Sequence, residues 1–244
     1  METRTPAVQI PGYSRAHIKR MIAGGNVVAM AIGFWTIFFP AYFYTPALLL
    51  CFLLPLWGLV LDMQTRGALG FEERRSRSYP LSLATILVLP ALALAVRAGI
   101  DLNFESYATL IAKAAVTAVA IFALFWCLDR KLKGDLNQCA TIAIFAVAYS
   151  YGALAFADVV LDPSMAVEKQ TVIDQKRIHV SGGTKGSSVW YQVKVDPGAS
   201  PQGANWINTQ PALWYSFRRG DTVCVRVGAG LLATRWFAVG HCGG

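Results

Sequence analysis

Three residues stand out by type and placement: Cys224 and Cys242 near the C-terminus, and Lys113 inside an otherwise apolar run. Two cysteines in one short C-terminal segment form a disulfide if that segment lies in an oxidising compartment. The loop they would close is slightly longer than fifteen residues, for which the unfolded-state model gives a stabilisation of about 3 kcal/mol. Lys113 lies six residues into the run that begins at Tyr107, so its Cα sits roughly 9 Å along a helix of 1.5 Å rise. A charge at that depth is a candidate counter-ion or substrate contact. Its long stem also lets it snorkel outward, and this reading is preferred because no Asp or Glu lies within a span to partner it.

Other chemistry is not encoded in recognisable form. The histidines His17, His179 and His241 are scattered, with no His-Glu-x-x-His and no Cys-x-x-Cys, so no metal site is expected. Gly-x-Ser-x-Gly and Ser-x-x-Lys are also lacking, and with them the commonest nucleophile signatures. The glycine-rich stretch Ser181 to Ser188 lacks the phosphate-loop pattern and reads as a hairpin turn. Arg219-Gly220-Asp221 is ordinary turn chemistry. The expectation is a protein without catalytic residues or cofactors.

The elements that would position these residues are mostly membrane spans. Hydrophobic residues make up 55% of the chain and charged residues only 15%, well under the roughly 25% usual in soluble domains. A cytoplasmic tail, residues 1–20, precedes a transmembrane domain at 21–158. Five spans are expected: Met21 to Phe39, Pro46 to Leu61 with Pro55 as a kink, Pro80 to Ala98 with Pro90, Tyr107 to Leu128, and Gln138 to Ala157. Gly25, Ala29 and Gly33 recur every four residues along the first, a spacing that lets backbones approach closely. Packing within the chain is preferred to dimerisation, and the sequence sets no oligomeric state.

The net charge of +8 follows topology. Arg4, Arg15, Lys19 and Arg20, then Arg66, Arg74, Arg75 and Arg77, then Arg130, Lys131 and Lys133 all flank spans on one side. Opposite them stands Arg97, expected to snorkel to the headgroups; Tyr42, Phe43 and Tyr44 form an aromatic belt on that side. The bias places the N-terminus in the cytoplasm and the C-terminal segment outside, with the lipid bilayer rather than nucleic acid as the partner of the basic residues.

Residues 159–244 change to a period of two, the mark of strands. Strands are expected at Thr171 to Val180, Ser188 to Asp196, Leu213 to Phe217, Thr222 to Val227 and Ala233 to Val239, with almost no helix. In the second, Val189, Tyr191, Val193 and Val195 face one way and Trp190, Gln192 and Lys194 the other. Turns fall at Arg218 to Asp221 and Gly228 to Gly230; the latter would set Cys224 opposite a residue near Phe237. The fold class is thus an α-helical membrane domain of about five helices plus a small all-β C-terminal domain, an antiparallel barrel or sandwich.

A resemblance follows from Asp162-Pro163-Ser164, from Ser188 to Val195, from Gly220-Asp221-Thr222-Val223-Cys224-Val225, and from Arg235-Trp236-Phe237-Ala238-Val239 closing on Cys242. This part, about the last third of the chain, looks like the C-terminal module of uncharacterised bacterial inner-membrane proteins. The resemblance implies a Gram-negative inner-membrane location, a periplasmic β domain and a paired Cys224 and Cys242. It implies no activity.

Two function classes remain. The leading one is a non-enzymatic envelope protein whose β-module contacts an envelope protein, a glycan or the membrane surface through aromatics such as Trp190, Trp206, Trp214 and Tyr215. The other is a small transporter or channel built on the helices, resting on Lys113 and the proline-broken spans.

Overall fold

The computed structural model describes residues 15–38, 44–64, 83–128, 136–183, 186–196, 198 and 206–242. Expectations for Arg4, for Tyr42 and Phe43, for the basic segments Arg66 to Arg77 and Arg130 to Lys133, and for most of the loop over 197–211 lie outside them. The apolar runs form helices α1 (Arg15–Phe38), α2 (Tyr44–Gln64), α3 (Ala84–Asp101), α4 (Tyr107–Leu128) and α5 (Leu136–Val160). Four of these are long and apolar enough to cross a membrane: the segments Arg20–Phe38, Ala84–Asp101, Tyr107–Cys127 and Leu136–Val160. The apolar part of α2, Thr45–Leu61, is shorter and has Pro55 inside it. Val27, Phe34, Leu49, Val116, Val119 and Val147 stay exposed, so these helices carry apolar side chains on faces that nothing in the described chain covers.

The chain divides into two compact units: Met1–Leu94 with Thr117–Tyr149, and Ala95–Val116 with Ser150–Gly244. In the first, small residues decide how closely the helices approach. A Cβ on Gly25 would lie 2.6 Å from the Trp57 ring and 2.8 Å from Ile86, and one on Gly33 would lie 2.8 Å from Leu89. Ala29, between them, is fully buried. Tyr149 donates to the Phe52 carbonyl at 3.1 Å, which joins α5 to α2.

The second unit contains two antiparallel sheets. One has the order β1 (Asn103–Phe104), β7 (Trp236–Gly240), β6 (Thr222–Gly228), β2 (Val167–Val172); the other runs β3 (Gln175–Gly183), β4 (Gly186–Lys194), β5 (Trp206–Asn208). Both sheets supply one buried core made of Ile173, Val193, Val195, Ile207, Phe217, Val223, Val225, Phe237 and Val239. Ala98, Phe104, Leu110 and Ala155 form a second core, in which the end of α3, the start of α4 and the end of α5 pack with β1.

Several expectations are corrected. The stretch Thr171 to Val180 is not one strand: the chain leaves β2 at Ile173 and Asp174 and enters β3 in the other sheet. Ile173 is tied there to Asp221 and Gly220, and Asp174 to Lys194, by backbone hydrogen bonds. Among the described residues there are two sheets of four and three strands, seven strands where five were expected. Leu213 to Phe217 is not a strand but a short helix, α6 (Pro211–Ser216), with proline at its start, where a missing N–H costs nothing. The third helix does not end at Ala98: α3 continues to Asp101, and the residues after it form β1, which pairs with β7. The β3–β4 pairing continues to Gly183 and Gly186, so the hairpin loop is shorter than the glycine-rich stretch suggested.

Arg97 does not reach the headgroups. It is 4% exposed and forms a buried ion pair with Asp101, one helical turn on, at 2.5 Å. A long side chain snorkels only when it has no nearer partner, and here the i, i+4 spacing supplies one.

Candidate functional site

Among the described residues no group of His, Cys, Asp or Glu could hold a metal ion. Gly25, Ala29 and Gly33 lie in the first unit; Cys224, Cys242, Lys113 and the aromatics fall at two places in the second, which also holds a groove.

The first is the loop between β6 and β7. Cys224 lies opposite Gly240, not near Phe237, because the connection runs from Ala229 to Arg235 instead of turning tightly at Gly228 to Gly230. Cys242, two residues past the ladder, then bonds Cys224 with 4.9 Å between Cα atoms, an ordinary disulfide separation. The loop takes its long course because helix residues hold it. Asp158, fully buried on α5, accepts from the Leu232 N–H through its carboxylate, and its backbone carbonyl accepts from the Leu231 N–H. Lys113 on α4 donates to the Leu232 carbonyl and, at 3.0 Å, to the Thr234 hydroxyl. The ammonium is thus received by this loop.

Asp162, just beyond α5, completes the arrangement. Its carboxylate accepts from the Ser164 N–H at 2.9 Å, the Gly230 N–H at 2.9 Å and the Trp236 indole at 2.8 Å. The Ser164 hydroxyl first, and then these N–H donors, hold its carboxyl at about 2, below the ordinary aspartate value. Gly230 has φ of 78°, and a Cβ there would lie 2.5 Å from the Thr234 carbonyl.

The second place is the sheet β3-β4-β5. Tyr191 sits against Trp214 at 5.5 Å and Tyr215 at 5.8 Å between ring centroids, and Lys176 lies 4.0 Å over the Trp214 ring. The hydrogen bond from Tyr191 to Tyr215 pushes the Tyr191 hydroxyl above the usual tyrosine range. On the other face Arg177 covers Trp206 at 3.9 Å and donates to Gln192, which donates to Asn208. His179 and Trp190 lie beside them, their rings tilted at 33° with centroids 5.5 Å apart. Of the aromatics expected at a surface, Tyr215 is exposed, while Trp190, Trp206 and Trp214 are half-buried. The face assignment along β4 is as expected: Val193 is buried, and Gln192 and Lys194 bond to neighbours on the opposite side.

Asn103 was not singled out, yet it joins the two sheets. Its backbone pairs with Phe237 in one, while its side-chain amide donates to the Asn208 carbonyl at 2.9 Å and accepts from the Asn208 N–H at 3.2 Å in the other. A buried asparagine in a two-residue strand leaves no periodic trace. Its position between two apolar runs was the signal available.

The groove, open and of about 800 Å³, lies where β2 passes into β3, with Asp174, Lys194, Asp196 and Arg219 at its rim. Lys194 pairs with Asp174 at 2.9 Å and keeps its carboxyl below the ordinary value. The groove offers charge already neutralised and no nucleophile beside a base.

No family model matches the chain, and neither curated proteins nor solved structures show a significant match to it.

Proposed function

We propose that this is a non-enzymatic, multi-pass protein of a bacterial inner membrane whose helices anchor a periplasmic β domain that binds an extended segment of an envelope protein. The observation that carries the reading is β3. It is the outermost strand of its sheet, and Ile178 and Val180 on it remain exposed beside Val189 and Tyr215. An uncovered edge strand with apolar side chains invites another strand, which supplies main-chain hydrogen bonds and places alternate side chains in register. Lys176, Arg177 and no carboxylate lie in β3, so an apolar segment bearing acidic residues fits it best.

The basic residues flanking the helices support five spans with the N-terminus inside and the C-terminus outside. Two sheets around one core support a small sandwich. The likeness of the last third to inner-membrane modules agrees with that location. A glycan is the second partner class, favoured by Trp206 lying beside the Gln192 and Asn208 amides. Transport loses its main support, because the Lys113 ammonium is taken up by Leu232 and Thr234.

A photo-cross-linking residue placed at Val180 of the full chain in cells tests this. A discrete protein adduct is expected there and not at exposed Arg219, and Ile178→Asp should abolish it. An adduct that glycosidases remove would move the assignment to a glycan, and no adduct from Val180 or Val189 would overturn it.

A further inference from the structure

We infer that the β6–β7 loop and the chain leaving α5 form an apolar foot set into the headgroup layer of the bilayer, so that lipid is itself a ligand of the β domain. The inference rests on the helices spanning a membrane and concerns how deep the β domain sits.

Depth comes first. Lys113 lies about 9 Å along α4 from Tyr107 at helical rise, and its ammonium holds Leu232 and Thr234. Asp158 lies before the end of α5 and holds Leu231 and Leu232. The loop is therefore fastened to the flanks of two helices, close to the helix ends that adjoin β1. At this level α4 already shows Ile111 and Val116 on its surface, side chains suited to lipid.

The second observation is the backbone of the loop. Each N–H from Ala229 to Ala233 has a partner within the protein: Ser164 Oγ for Ala229, Asp162 for Gly230, the Asp158 carbonyl and carboxylate for Leu231 and Leu232, and the Gly230 carbonyl for Ala233. A loop in water has no need of this. Non-helical backbone at membrane depth must have it, since hydrocarbon offers no hydrogen bonds.

The third is what the loop leaves uncovered. Leu231 is 46% exposed, and on the chain bonded to it Val160, Leu161 and Met165 are 72%, 62% and 96% exposed. In water these would be an apolar patch beside a loop whose N–H groups are already taken up by the protein. At the boundary of headgroups and acyl chains they are in their proper solvent. Arg235, exposed and 3.6 Å from Glu105, stands at the rim where lipid phosphates would lie.

Nitroxide labels on single-cysteine variants test this in the full chain, with Cys51, Cys127 and Cys139 replaced by serine and the Cys224–Cys242 bond kept oxidised. In vesicles of phosphatidylethanolamine and phosphatidylglycerol, labels at Leu231→Cys, Leu161→Cys and Met165→Cys should meet oxygen several-fold more readily than a water-soluble nickel chelate. Val116→Cys on α4 is the lipid control and Arg219→Cys the water control. Nickel-dominated access at Leu231 and Leu161 with a lipid-like Val116 overturns the foot and leaves the spans standing. Nickel access at Val116 removes the membrane reading itself. Labels at Leu231 and Leu161 shielded from both reagents would mean that a protein surface covers them, which also overturns the proposal.

Discussion

Lys113 and Asp158, on different helices, take the two ends of one residue: the lysine ammonium donates to the Leu232 carbonyl while the aspartate carboxylate accepts from the Leu232 N–H. Opposite charges are thereby linked through a single residue that belongs to the β domain. Removing one of them leaves a buried polar group unmade, which costs more than the bond itself contributes.

Lys113→Met should accordingly loosen the β6–β7 loop without preventing membrane insertion. A loss of about 2 kcal/mol is expected for a hydrogen bond to a charged group. Limited proteolysis would show faster cleavage between Ala229 and Arg235, and unchanged cleavage there would refute the anchoring role.

Cys224→Ser should lower the melting temperature of the β domain substantially. A bridge across a sequence separation of 18 contributes roughly 3 kcal/mol, equivalent to a shift on the order of 10 °C for a domain of this size. Mass spectrometry of protein purified without reductant should find both thiols blocked; free alkylation of both in folded protein would contradict the bond.

Acid should open the Asp162 corner. The folded carboxyl titrates at about 2, below its unfolded value, so its stabilisation is present above about pH 4 and is lost as the pH falls towards 2. Asp174, lowered by Lys194, works in the same direction. Thermal melts followed between pH 5 and 2 should show a steeper decline for the native chain than for Asp162→Asn. Parallel curves would remove Asp162 from the explanation.

Gly25→Ala and Gly24→Ala make a matched pair on α1. A Cβ at Gly25 meets the rigid Trp57 ring at 2.6 Å, whereas one at Gly24 has nothing within 4 Å. The first should destabilise the detergent-solubilised protein by about 1–3 kcal/mol, and the second should be neutral or slightly stabilising, because alanine favours helix. Equal thermal aggregation midpoints would argue against close approach at Gly25.

The parts of this fold legible in the sequence are those governed by one-dimensional pattern. Apolar length marks the four long helices, alternation assigns the faces of β4, and two cysteines in one short segment mark the bond. What escaped depends on distant partners. Asn103 and Phe104 become a strand only because β7 arrives beside them. Trp214 and Tyr215 have strand propensity, but Pro211 starts a helix and the Gln210 carbonyl accepts from the Trp214 N–H. Arg97 was assigned by its place at a helix end, although Asp101 stood at the spacing that would hold it. The depth of Lys113 was readable and its receiver was not, since Leu232 and Thr234 lie more than a hundred residues away in the chain.

The placement of β1 also fixes an order of synthesis. Asn103 and Phe104 lie between α3 and α4 and are made long before β7 exists, so they must wait for a strand that follows α5 and β6 in the chain. Until then Phe104 has no Trp236 or Phe237 beside it, and the sheet cannot close. A fragment begun at Val159 would carry β7 with a bare edge and an empty seat for Phe104, so it should associate edge to edge rather than fold as the native domain does. The anchor is thus also the template on which the last strands are completed.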